Sequence, residues 1–377
     1  MKWTNAVFMR GGTSKGLFFA EHDLPALGPE RDALLLAALG SPDRFGRQLD
    51  GMGGGLSSLS KVVTVTAADR PDAALDYTFG QVAVDEPLVD YSANCGNLSS
   101  AVVPFALESG LLTLEDGHRT VRVRNTNTDA LIEVGLEVRN GTALTAGDLA
   151  LPGVSGTGAP IELRYLHPAG SRTGALLPSG SARTVLAWRS RAVEASLVDA
   201  ALPMVFVRAA DLGIEGTEFP AQLDEERELQ ALLEGLRCAG AAVMGLTDAS
   251  GAAPLAAPKI AIVAEPLTGR LIDGSAVGPH SCDLTMRVIS MGQAHRATPG
   301  TTALCTAAAA QIPGSLVREC VGAEADGSSL RISTPSGVVT AGAAVNALPD
   351  GTTTVESASL YRTARVLMRG QVAVPAG

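Results

Sequence analysis

A thiol, a scarce amine and two glycine-rich loops are the residues of this chain best suited to chemistry. Cys95 lies in Asn94-Cys95-Gly96-Asn97, directly before LSSAVVPFALESG (98 to 110). The apolar residues at 98, 101, 102, 103, 105, 106 and 107 have helical spacing, and Gly110 supplies a stop. A helix's first turn leaves N–H groups unpaired and carries partial positive charge, which stabilises a thiolate and attracts a carboxylate. Cys95 is therefore a candidate proton donor and acceptor. Asn94, Gly96 and Asn97 suit a tight turn whose backbone approaches a ligand closely. Pro104 predicts a short or kinked helix. A buried structural cysteine is the competing reading.

Lysine is rare: of 29 Lys plus Arg, only positions 2, 15, 61 and 259 are lysine. An amine can give up its proton where a guanidinium cannot, so a retained lysine suggests a need for one. Burial would lower the pKa of Lys61, leaving either Lys61 or Cys95 able to act as base. The alternative for Lys61 is a strand-end side chain reaching solvent. FMRGGTSKGLFF (8 to 19) sets cationic and hydroxyl donors, Arg10, Thr13, Ser14 and Lys15, around Gly11 and Gly12. Such a loop can hold carboxylates through charge-assisted hydrogen bonds. It lacks P-loop spacing, and a hairpin with solvated charges is the other reading. DGMGGGLSSLSK (50 to 61) does not fit the dinucleotide pattern GxGxxG. MGQAHRATPGTT (291 to 302) places His295 and Arg296 before a second helix, with Gly300 and Thr301 at its opening, as further candidates for a substrate carboxylate. His280 and Cys282 have no further ligands clustered nearby, so a metal site is not expected.

The elements that must position these groups recur in order along the chain. GLFFAEHDLP (16 to 25) matches MVFVRAADLG (204 to 213), and ERDALLLAALG (30 to 40) matches DEERELQALLEGLR (224 to 237). SKVVTV (60 to 65) matches PKIAIV (258 to 263), and YTFGQVAV (77 to 84) matches LTMRVISM (284 to 291). ANCGN (93 to 97) matches ATPGT (297 to 301), an apolar helix follows each, and VRVRNTNTDALIEV (121 to 134) matches LRISTPSGVVTAGAAV (330 to 345). The reading is a duplicated α/β (α+β) domain, each half a strongly curved sheet around a central helix, with a cleft between the halves. Boundaries are expected at 1 to 184 and 185 to 356. SARTVLAW (181 to 188) and RTARVLMR (362 to 369) also match; each either closes its own half or crosses to the other, and the strand in 357 to 377 is a candidate to return to the first domain. In the second half Lys259 matches Lys61, whereas Pro299 stands where a second thiol would be. That disfavours a racemase with twin thiols and suits one thiol with one amine, moving a proton across an allylic system.

Composition narrows the setting. With 377 residues, 46% hydrophobic and 18% charged, the chain is globular and long enough for two domains. A net charge of -10 argues against nucleic acid or an anionic membrane as partner and leaves a small carboxylate that needs a local cationic pocket. The N-terminus does not resemble a signal peptide and no stretch is a membrane span, so a cytoplasmic location is expected. Five cysteines without a CxxC pair predict reduced thiols.

MRGGTSKG (9 to 16), DGMGGGLSSLSKV (50 to 62) and NCGN (94 to 97) give the chain an end-to-end resemblance to the PrpF family of methylaconitate, oxalomesaconate and methylitaconate isomerases. The resemblance implies the diaminopimelate epimerase-like fold with two pseudo-symmetric domains. It also implies cofactor-independent proton transfer on an unsaturated di- or tricarboxylic acid, with Lys61 and Cys95 as acid and base. A homodimer is expected. Two other classes remain open at this point, an amino-acid racemase or epimerase with two bases and a non-catalytic accessory to a dehydratase.

Overall fold

The computed structural model describes residues 1–92, 94–322, 325, 329–347 and 353–375. It divides into two compact units, Met1–Leu163 with Tyr361–Gly377, and Arg164–Leu360.

In the first unit, β1 (Lys2–Gly11) and β2 (Ser14–Ala20) form a hairpin whose turn is Gly12 and Thr13, with Gly12 at φ 53°. A side chain would be strained there, which is why the turn carries glycine. Strand β2 runs parallel to β3 (Lys61–Ala67), and the crossover between them contains α1 (Pro29–Leu39). β3 pairs antiparallel with β4 (Leu75–Val82). Alternation along β2 sends neighbours to opposite faces. Phe19 joins Leu34, Leu35, Ala38 and Leu39 of α1 in one core, while the Phe18 ring lies 5.6 Å from that of Phe105.

Phe105 belongs to α2 (Val102–Glu108), which follows a 3₁₀ turn over Leu98–Ala101. The expected short or kinked helix is thus short, and it begins with tighter winding. Local polar bonds account for this: the Ser99 hydroxyl donates to the Cys95 carbonyl and the Ser100 hydroxyl to the Asn97 carbonyl. Pro104 falls in the first turn of α2, where no N–H is needed. The sheet continues through β5 (Gly117–Asn125), parallel to β4, and β6 (Ala130–Arg139), antiparallel to β5.

The second unit repeats the plan. Strands β7 (Thr184–Trp188), β8 (Arg191–Asp199) and β9 (Pro203–Arg208) are antiparallel neighbours. After α3 (Arg227–Val243) comes β10 (Lys259–Ala264), parallel to β9. β11 (Leu284–Ser290) pairs antiparallel with β10, and α4 (Gly300–Ala309) follows, buried along its whole length. β12 (Leu330–Thr334) lies parallel to β11 and β13 (Gly337–Ala347) antiparallel to β12. β14 (Thr353–Arg362) pairs with β13 and leads the chain back into the first unit, where β15 (Ala364–Val374) pairs antiparallel with β1.

The order β15-β1-β2-β3-β4-β5-β6 in one unit and β7-β8-β9-β10-β11-β12-β13 in the other share the same sequence of antiparallel and parallel neighbours. SARTVLAW and RTARVLMR therefore play one part: each supplies the strand beside the first hairpin of its unit, one from the preceding segment and one from the end of the chain. Two expectations shift. Residues 164 to 184 group with the second unit, where the Asp199 carboxylate accepts from Ser171, Arg172 and Thr173 and Ser196 donates to the Ala182 carbonyl. The helix expected from residue 224 breaks at Glu226, between Pro220–Glu225 and α3. Among the described residues no helix is long and apolar enough to cross a membrane.

Candidate functional site

Lys61 opens β3 with its side chain turned into the interior, only 8% exposed. Its Nζ donates to Oε1 of Gln81 at 2.5 Å and lies 4.9 Å from the centre of the Phe79 ring. Gln81 is its direct neighbour across β3 and β4, and Phe79 stands on the same face two residues away. Burial lowers the pKa of this amine, opposed in part by the nearby Cys95 thiol, whose negative form favours the ammonium. The alternative of a strand-end side chain reaching solvent is not what the structure shows.

Cys95 is half-buried in the loop before the 3₁₀ turn. Asn94 fixes that loop: its Oδ1 accepts from the Cys95 N–H at 2.6 Å and from the Tyr77 hydroxyl at 3.0 Å. Tyr77 in turn lies 2.8 Å from the Ser99 hydroxyl. Asn94 thus orients the backbone that carries the thiol. Ala93, the first residue of the ANCGN segment, lies outside the described residues. All five cysteines are free, and burial pushes the Cys305 thiol of α4 well up, as it does more modestly for Cys320, to about 11. Those thiols are packing groups.

Asn97 is the joint of the site. Its Nδ2 donates to Thr13 Oγ1 at 2.9 Å and to Ser14 Oγ at 3.5 Å, while its Oδ1 accepts from Nε of the buried Arg362 at 2.9 Å. The hairpin tip, the Cys95 loop and the end of β14 meet in this one amide. A Cβ on Gly12 would lie 2.5 Å from Asn97 Oδ1, and one on Gly16 would lie 2.4 Å from the Lys61 carbonyl. The glycines of MRGGTSKG are the clearance that lets the hairpin approach both the amine strand and the thiol loop. Gly16→Ala is expected to push β2 off β3, lowering the unfolding free energy by about 1–3 kcal/mol as overpacking does. Urea titration checks this, with turnover falling further than the stability loss explains.

The register separates the four donors of that motif. Gly16 is level with Lys61, because Leu17 faces Val62 across the parallel pair, so Lys15 turns to the opposite face of the sheet, and Arg10, paired with Lys15, turns with it. Arg10 Nη1 ties the turn together through the carbonyls of Gly12 and Thr363 at 3.0 and 2.8 Å, and Lys15 Nζ rests 5.4 Å from the Phe8 ring centre. Thr13 and Ser14 reach the thiol loop through Asn97, whereas Arg10 and Lys15 are not brought to Lys61. Strand alternation, unreadable without the register, decides the face that Lys15 and Arg10 take.

The remaining candidates belong to the other unit. His295 and Arg296 lie between β11 and α4, where His295 Nδ1 accepts from the Ala297 N–H and the Arg296 carbonyl from Ser336. Gly300 and Thr301 form the buried first turn of α4, and Pro299 precedes it. The Oγ1 atoms of Thr298 and Thr302, on either side of that turn, are buried without a hydrogen-bond partner. Lys259 Nζ donates to the Ala256 carbonyl, so the matched lysines sit in different surroundings. Among the described residues no group of His, Cys, Asp and Glu side chains is arranged to hold a metal ion. Gln81, Phe79, Tyr77, Ser99 and Arg362 escaped the sequence reading; a lone amide inside an otherwise apolar strand was the visible signal for Gln81.

One unit thus holds a buried amine whose pKa is lowered and a half-buried thiol, in unlike surroundings. Comparison with known proteins gives the family. The family described as PrpF protein matches residues 1–375. The 2-methyl-aconitate isomerase of Cupriavidus necator is 38% identical, with 98% of this chain and 96% of that protein covered. The 3-methylitaconate isomerase of Eubacterium barkeri is likewise 38% identical over 98% and 96%. The (4E)-oxalomesaconate Delta-isomerase of Novosphingobium sp. (strain KA1) is 39% identical over 98% and 96%. The crystal structure of methylitaconate-delta-isomerase superposes with a TM-score of 0.80 at 35% identity, covering 99% of this chain and 96% of that one. A hydroxyproline epimerase from Agrobacterium vitis shares the fold, at a TM-score of 0.55 and 13% identity over 98% and 92%.

Proposed function

Because the chain belongs to the PrpF family and is an isomerase, we propose that it moves an allylic proton in an unsaturated di- or tricarboxylic acid, with Lys61 as base and Cys95 as acid. The observation that carries the reading is the buried Lys61 amine, held by a neutral amide and within electrostatic reach of the Cys95 thiol. The relatives named for 2-methylaconitate, 3-methylitaconate and oxalomesaconate define the substrate class, an acid with a carbon–carbon double bond conjugated to a carboxylate.

In this mechanism neutral Lys61 removes a proton from the carbon next to the double bond and becomes an ammonium. The electron pair left behind spreads through the double bond into the carboxylate, giving a dienolate. The Cys95 thiol then protonates the far carbon of that system, so the double bond shifts or, after rotation, returns with changed geometry. The resulting thiolate is neutralised by the proton held on Lys61, directly or through water, which restores both groups. A single thiol suffices, and Pro299 at the place matching Cys95 leaves the second unit without the second thiol that a twin-thiol racemase uses.

The test is proton NMR in deuterated water with aconitate, 2-methylaconitate, 3-methylitaconate and oxalomesaconate. Exchange at an allylic position together with a new isomer is the expected result; exchange into none of them, or deuterium entering an amino-acid α-carbon instead, overturns the reading. Cys95→Ser is expected to lower isomerisation by about 10²-fold or more. Deuterium should still enter the carbon that Lys61 deprotonates, because that step precedes the work of the thiol.

A further inference from the structure

We propose that Gln81 is a positioning residue for this reaction: its side-chain amide, locked by the glycine-rich loop before β3, offers Lys61 a neutral oxygen that aims the amine without holding it as an ammonium. The proposal rests on the functional reading above for its catalytic consequence, and on geometry alone for the orientation.

The amide has one possible direction. Gln81 is 5% exposed, and its Nε2 donates to the main-chain carbonyls of Ser57 at 3.0 Å and Ser60 at 2.9 Å. Turning it over would set its oxygen against two other oxygens and leave both N–H bonds unmade. Oε1 must therefore face Lys61 Nζ. The two carbonyls are fixed in turn. Gln48, 1% exposed, donates from Nε2 to Ser60 Oγ at 2.7 Å, Ser60 Oγ donates to the Val82 carbonyl, and Gln48 Oε1 accepts from the Gly55 N–H. A Cβ on Gly53 would lie 2.2 Å from the Gln48 amide, so the loop needs glycine to close around it. DGMGGGLSSLSK thereby acquires a function that no nucleotide explains: it is the clamp that sets the rotamer of Gln81.

The neutrality of the acceptor matters because a buried lysine ordinarily finds a carboxylate. From β4 the amine meets Gln81 and Phe79, with Tyr77 further along bound to Asn94; β2 sets Gly16 against the Lys61 backbone and Cβ, adding no charge; from the loop before α2 the charge of Cys95 reaches it. Among the described residues Cys95 is the titratable group whose charge reaches Lys61. A carboxylate at position 81 would supply the missing negative charge and hold the amine protonated.

The test compares Gln81→Glu and Gln81→Leu with the unaltered protein by two readouts across pH. One is kcat/KM for the acid that exchanges; the other is the acylation of Lys61 by a small anhydride, followed by mass spectrometry of the peptide, which needs no substrate. Gln81→Glu is expected to move the rising limb of activity and the acylation midpoint upward by about one unit or more. Activity at neutral pH then falls about tenfold and recovers in alkali. Gln81→Leu is expected to move both midpoints downward and lower kcat throughout. Midpoints that stay in place in a folded variant, or a loss equal at every pH, overturn the proposal. If the acylation midpoint shifts while no acid exchanges, the functional reading has failed and the role of Gln81 in tuning Lys61 stands.

Discussion

Lys61→Met is expected to lower kcat/KM for isomerisation by at least about 10³-fold and to abolish deuterium exchange into substrate as well. The double loss follows from the order of events: without a base the first carbon–hydrogen bond is never broken, so nothing remains for Cys95 to protonate. Methionine fills a volume similar to that of the lysine stem and removes only the amine. An uncharged side chain at this buried position, where the partner is the neutral Gln81, relieves desolvation and leaves Gln81 Oε1 without its donor. These effects oppose each other, so the unfolding free energy should change by no more than about 1 kcal/mol. The control is Lys61→Ala assayed with added small primary amines. Partial return of exchange, rising with pH as the free amine appears, identifies the missing group as a base; full activity in either variant without added amine contradicts the assignment.

Asn97→Ala is expected to carry a large structural penalty in the first unit. Truncation takes the acceptor from Nε of Arg362, which is 1% exposed, and the donor from Thr13. A buried guanidinium one acceptor short costs about 2–4 kcal/mol, more than an ordinary surface hydrogen bond. Denaturant unfolding measures that loss. Turnover should fall by about 10²-fold beyond it, because the loop bearing Cys95 loses its tie to the hairpin tip and small misplacements of a reacting group are expensive. Asn97→Asp separates the two parts. It keeps an acceptor for Arg362 and so recovers most of the stability, yet lacks the amide donor to Thr13 and should leave turnover impaired. Equal recovery of both would assign Asn97 to stability alone.

Much of this architecture can be read from residues because the duplication makes each half a check on the other. SKVVTV against PKIAIV located β3 and β10, and the apolar runs after ANCGN and ATPGT located the helices each sheet surrounds. What escaped was set by register and by local polar competition. Arg10 and Lys15 look like companions of Ser14 in a linear motif, yet a period of two puts them on the other face from Ser14, and that division is fixed only when Leu17 is known to lie level with Val62. Gln81 is distant from Lys61 in sequence and adjacent to it only across the antiparallel pair. The 3₁₀ start at Leu98 depends on serine hydroxyls choosing nearby carbonyls, which composition does not disclose. Arg362 gave no signal because its meaning lies in the return of the chain to its first strand.

That return has a consequence for when the protein becomes an enzyme. The amine and the thiol are both synthesised among the first 95 of 377 residues, whereas the guanidinium that seats Asn97 and the strand that flanks β1 come after residue 361. A nascent chain paused anywhere before Arg362 holds its reactive pair on an unfinished sheet, with one edge of β1 bare. Domains ordinarily fold as they leave the ribosome, N-terminal first; here the N-terminal unit has to wait, and the second, whose flanking strand β7 precedes it, does not. Proton transfer by the proposed pair is thus expected only once the segment bearing Arg362 and β15 has joined Asn97 and β1.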